Sequence, residues 1–163
     1  MTPQQIRDAI AASPELTALA EPPANTQAIA DALSVGRQRV VPYHISERGV
    51  RAMPVLPRSR HALLQTLHDA AQAAPPWLTP ALTAIGLPAE DHPAIADDLA
   101  SAYGWLLNAD GLDIGTDAAR SMLDLIAMTV PAAASACMAI KALAEEPDPI
   151  THTQVGAALR GDN

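Results

Sequence analysis

The sequence predicts a mainly α fold, a compact helical bundle of about six to eight short helices with one β-hairpin or extended arm near residues 38–57. Three observations lead there. Apolar residues recur at three- and four-residue spacing through most of the chain, helix-start signatures stand near both ends, and a single β-branched, arginine-rich stretch breaks the helical period. The length of 163 residues fits one helical domain, 1–163, from which a basic arm, 37–60, projects.

Thr2-Pro3-Gln4-Gln5 reads as a capping threonine, a proline at the first helical position and a glutamine that closes a capping box, so a helix follows through Ile6, Ala9 and Ile10. Ser13-Pro14-Glu15 restarts the pattern over Leu16 and Leu19 until Glu21-Pro22-Pro23 ends it. Asn25 or Thr26 caps a third helix that carries Ile29, Ala32 and Leu33. Residues 40–45, Val-Val-Pro-Tyr-His-Ile, and 50–56 are extended in character, and Ser46-Glu47-Arg48-Gly49 between them suits a type I turn, so a hairpin or arm is expected. Pro42 and Pro54 each remove a ladder donor and confine such strands to edges.

From Ser59 the helical period returns over Leu63, Leu64, Leu67, Ala71 and Ala74, up to Pro75-Pro76. A short helix from Thr79-Pro80 is closed by Gly86 and Pro88. A longer one starts near His92-Pro93 with Ile95, Leu99, Ala102, Tyr103 and Leu106 on its buried face and Asp97, Asp98 and Ser101 outside. Residues 108–115 read as a loop. A helix over Ala118, Met122, Leu123, Ile126 and Val130 follows, and residues 132–143 are so apolar that they are expected to form the most covered helix. Pro147-Asp148-Pro149 is a stiff link, and Thr151 with Gln154 forms a second capping box over Val155, Ala158 and Leu159, before the polar end Gly161-Asp162-Asn163. Three segments, 5–10, 28–33 and 154–159, look alike, as short amphipathic helices behind a polar cap do.

Composition bounds the function. The arginines Arg37, Arg39, Arg48, Arg51, Arg58 and Arg60 face one acid, Glu47, in their window, which therefore carries +5 and leaves −13 (four basic, seventeen acidic) for the rest of a chain of net charge −8. Such segregation marks a surface that meets opposite charge. Those six arginines, with Tyr43, are the expected protein-contact residues. Arginine in place of lysine suits bidentate pairing with carboxylates. Phenylalanine is absent and alanine makes up about a fifth of the chain, so the core is thin and gains from neighbours. A pI near 4.9 speaks against coating nucleic acid or anionic membrane, and neither a secretory start nor an eighteen-residue apolar run is read. The expectation is a soluble protein with no membrane or small-molecule partner.

No reaction is legible. The lone Cys137 lies in the most apolar stretch and reads as packing, with no disulfide or thiolate zinc site. His61 and His68 stand seven apart on one helix and read as solvated side chains rather than metal ligands, while His44, His92 and His152 add no metal spacing. Residues 110–117, acidic with two glycines, depart from the EF-hand pattern and read as a loop ending in a helix cap. No metal, cofactor or catalytic residue is expected.

Thr26 to Val40 resembles the helix-turn-helix of bacterial repressors, with Ala30 at the helix crossing, Val35 in the turn, Val40 for packing, and Arg37, Gln38 and Arg39 opening a recognition helix. Ser34 stands where glycine is usual and Pro42 falls in the second turn of that helix, where a proline costs about 3 kcal/mol. DNA binding through residues 26–40 is thus the alternative. An acidic inhibitor of a host protein is the second.

Residues 2–16, 26–37 and 141–149, with the stretches TPQQIRDAIAASPEL and KALAEEPDP, resemble small alanine-rich proteins encoded by tailed bacteriophages and prophages. The resemblance implies a non-enzymatic virion or tail-associated component, found in the virion or in the host cytoplasm before assembly. Its implied partners are copies of itself or other phage proteins, reached through the basic arm.

Overall fold

In the computed structural model, which describes residues 1–161, the chain divides into two compact units where one helical domain was expected. One consists of Met1–Arg39 together with the chain from Glu146 onward; the other is Val40–Glu145. The fold is mainly helical with small two-stranded sheets, as the sequence predicts, and the described residues form ten helices rather than six to eight. Asp162 and Asn163 of the expected polar end lie outside the described residues.

The first unit contains α1 (Pro3–Ala12), α2 (Pro14–Ala20), α3 (Thr26–Ser34) and α10 (His152–Arg160). The Thr2 hydroxyl accepts the Gln5 N–H at 3.2 Å and the Gln5 side chain accepts the Thr2 N–H at 2.8 Å, which is the expected capping box. Thr151 and Gln154 repeat it at 3.2 and 2.8 Å. Ser13 and Asn25 cap α2 and α3. The three look-alike segments fall in α1, α3 and α10, which pack together and bury Ile6, Ile10, Ile29, Val155 and Ala158, joined by Ile150.

The second unit contains α4 (Glu47–Ala52), α5 (Pro57–Gln72), α6 (Leu78–Ala84), α7 (His92–Leu107), α8 (Asp117–Thr129) and α9 (Ala134–Leu143). Its core is larger, running from Leu63 and Leu67 on α5 through Leu99 and Leu106 on α7 to Leu123, Ile126 and Ile140. Trp77 packs against this core, half-buried. α9 is not the most covered helix. It buries Ala136, Cys137 and Ile140 but leaves Met138 64% exposed, because one helical stripe suffices to meet α5 and α8. The start of α9 has no cap of its own, and the buried Ser59 hydroxyl of α5 accepts the Ala136 N–H at 3.0 Å instead.

The arm is where the structure corrects the sequence. Residues 38–45 are extended in part, as β1 (Gln38–Val40) and β2 (His44–Ile45), but they do not pair with 50–56. β1 pairs with β4 (Glu145–Pro147), and β2 pairs antiparallel with β3 (Leu112–Asp113) inside the expected loop 108–115. The expected turn is instead the first turn of α4. Ser46 caps it by accepting the Gly49 N–H at 3.3 Å, and the Val50 N–H reaches the Ser46 carbonyl at 3.0 Å while Val50 is wholly buried. The close β2–β3 approach depends on two glycines. A Cβ on Gly111, whose φ is +74°, would stand 2.7 Å from the Ile45 carbonyl oxygen, and one on Gly115 would stand 2.5 Å from that of Val41.

Candidate functional site

The seven expected contact residues are divided between the two units. Arg37 and Arg39 belong to the first unit and are engaged there: Arg37 pairs with the Asp148 carboxylate and donates from Nε to the Asp148 carbonyl at 3.2 Å, and Arg39 meets Glu146 at 3.0 Å. After α3 the chain turns at Gly36, with φ +69°, and enters β1, so no recognition helix follows and the helix-turn-helix is not formed. Ser34, at that motif's glycine position, instead donates to the Ala30 carbonyl at 2.6 Å and accepts the Ile150 N–H at 2.8 Å.

In the second unit, Tyr43 is exposed and its backbone N–H donates to Asp113 Oδ1 at 3.3 Å. Arg51 pairs with Glu47 one turn earlier at 2.5 Å. Arg60 donates to the backbone carbonyls of Arg51 and Met53, the latter at 2.8 Å, and thereby ties α4 to the start of α5. Arg48 and Arg58 differ from all of these. Among the described residues they are the two Lys or Arg side chains with no hydrogen bond or ion pair in the chain, and both are exposed. Between them in sequence stands Leu56, 66% exposed and flanked by Val55 and Pro57. The α4–α5 segment thus presents an exposed leucine on its link, with unanswered guanidinium groups at Arg48 in the first turn of α4 and Arg58 in the first turn of α5.

A second surface was not anticipated. Two hollows of about 320 and 290 Å³ share Asp98, Ala118 and Met122 and so form one groove along α7 and α8. Trp105, Leu112 and Ala119 line one end, and Ile85, Leu87, Ile95 and Leu125 the other. Trp105 is 44% exposed. Asp98 and Asp110 sit on the lining with no hydrogen bond or ion pair among the described residues. Asp113 is occupied, accepting the N–H groups of Tyr43 and of Gly115, the latter at 2.9 Å. Thr116 caps α8 as expected. The sequence does carry one signal for the groove: Trp105 stands seven residues after Asp98, on the face of α7 read as outside.

The remaining candidates have structural roles. Cys137 is buried, and its thiol is pushed up from 9.0 to about 12 by burial first and by the neighbouring Asp124 carboxylate second, so the nucleophilic thiolate is disfavoured. His61 and His68 are exposed, and the His68 ring meets Tyr103 edge-on at 5.3 Å. His92 is the exception among the histidines, being buried with Nε2 3.1 Å from the Leu87 carbonyl. No group of three metal-ligating side chains converges among the described residues, and no helix there is long and apolar enough to cross a membrane.

Fold and surfaces together define a mainly helical protein with small two-stranded sheets, one segment with an exposed leucine and two unanswered arginines, and one acid-lined apolar groove. No family model, curated protein or solved structure matches this chain.

Proposed function

We propose that this chain is a non-enzymatic component of a tailed-bacteriophage virion or tail that works by docking on other proteins, with the α4–α5 end as its contact element. One observation carries the docking role: eight of the ten Lys and Arg side chains are answered within the chain, while Arg48 and Arg58, on either side of the exposed Leu56 in sequence, are not. Two unanswered charges on the same short segment as an exposed leucine supply what an interface anchor with a polar rim uses. The contact set expected from the sequence contracts accordingly. Arg37, Arg39, Arg51 and Arg60 are answered within their own units, and Arg48 and Arg58 are left for a partner. The phage setting rests on the resemblance of residues 2–16, 26–37 and 141–149.

Mass spectrometry of purified virions tests the reading. The chain is expected in the particles at a fixed stoichiometry, and R48E/R58E is expected to deplete it from them while the helical circular dichroism of the variant stays that of the parent. Complete particles that lack the chain overturn it.

A further inference from the structure

The α4–α5 segment and the groove lie on the same unit and complement each other. We infer that a second copy of this chain inserts its α4–α5 end into the groove, with Leu56 entering the apolar slot and Arg48 and Arg58 meeting Asp98 and Asp110. The inference rests on the docking role proposed above and names its partner.

The groove asks for an apolar side chain flanked by positive charge. Its walls expose Trp105, Ile85 and Leu87 to water, and its two unanswered carboxylates would lose hydration under a neutral occupant without a compensating charge. The α4–α5 end supplies both. Pro54 and Pro57 bracket Leu56 and restrict the backbone that presents it, which lowers the ordering cost of docking. Arginine can engage each carboxylate bidentately.

The occupant comes from another molecule. On α7, Asp98 and Trp105 are seven residues apart and share a face, whereas Tyr103 lies five residues from Asp98 and about 140° round the helix. Tyr103 is on the side where Arg51, His61 and His68 gather, and Arg51 and His61 are joined there by Pro57 and Arg60. The start of α5 at Pro57 and Arg60, next to Leu56 in the chain, thus lies on a different side of α7 from its own groove. Because segment and groove are different surfaces, the contact is head-to-tail and repeats from copy to copy, closing into a ring or continuing as a filament. A repeating particle component needs that kind of contact.

Sedimentation of the full chain with charge-swapped variants is the test. The parent chain is expected to sediment above its 17.0 kDa monomer mass. R48E/R58E and D98R/D110R are each expected to weaken self-association roughly tenfold or more, and mixing them restores it, because each reversed surface then faces a reversed partner. Leu56→Asp is expected to abolish association in the parent and in the mixture. Circular dichroism checks that every variant keeps its helices. A parent chain that stays monomeric at every concentration overturns the self-docking and leaves the virion measurement to decide the docking role. Association that either reversal leaves unchanged, or that mixing fails to restore, overturns it as well.

Discussion

The two units stabilise their helix ends by different means. In the smaller one, every helix begins at a side-chain cap from an adjacent residue: Thr2, Ser13, Asn25 and Thr151. In the larger one, α5, α6, α7 and α9 begin with no such cap, and the start of α9 is completed by Ser59 from another helix. The cores differ in the same direction, with seven buried apolar residues in the first and a cluster spanning all six helices in the second. A thin core contributes little burial, so short helices depend on local caps worth about 1 kcal/mol each, whereas a thick core holds helices whose ends are completed from a distance or by solvent.

This contrast can be broken at its strongest point first. Ser59→Ala removes one of the two acceptors of the Ala136 N–H, leaving it the Ala133 carbonyl at 3.0 Å, and is expected to cost about 1.5 kcal/mol, read by urea unfolding, with faster amide exchange in α9 and unchanged exchange in α10. Alkaline pH comes next and also acts on the larger unit. Above pH 9 the unfolded thiol of Cys137 ionises while the folded one, pushed up to about 12, stays protonated. The folded state then binds more protons, so stability falls as pH rises through that window, by about 1.4 kcal/mol at pH 10 relative to a Cys137→Ala variant. The smallest effect is expected from Thr151→Ala, about 1 kcal/mol, confined to the amides of α1, α3 and α10. Equal loss of protection in both units for all three perturbations would erase the distinction.

The same contrast explains what the sequence disclosed. Thr2, Ser13, Asn25 and Thr151 act on residues three positions away, so α1, α2, α3 and α10 were legible to within a residue or two. β2 and β3 were not, because Ile45 finds Leu112 across sixty-seven positions and neither two-residue strand carries a period of its own. α4 was misread as a turn because a serine that accepts the N–H three residues on is common to a type I turn and to a capped helix. What decides is the next bond, Val50 to Ser46, and the burial of Val50, which only tertiary contact supplies. The arginine window was legible as charge but not as a surface, since Asp148 and Glu146, which answer Arg37 and Arg39, lie more than a hundred residues away. Asp98 was legible as an outward residue. That its face adjoins Met122 and Ala118 required α8 to be in place.

The first unit is assembled from both ends of the chain, with Val155 and Ala158 of α10 closing over Ile6, Ile10 and Ile29. On the ribosome, the isoleucines of α1 and α3 emerge more than a hundred residues before the helix that shelters them, whereas Val40–Glu145 is synthesised without interruption. All residues of the middle unit are therefore available for folding before the last helix of the first unit has been made. A nascent chain that stops before α10 lacks the Val155 and Ala158 cover of those isoleucines.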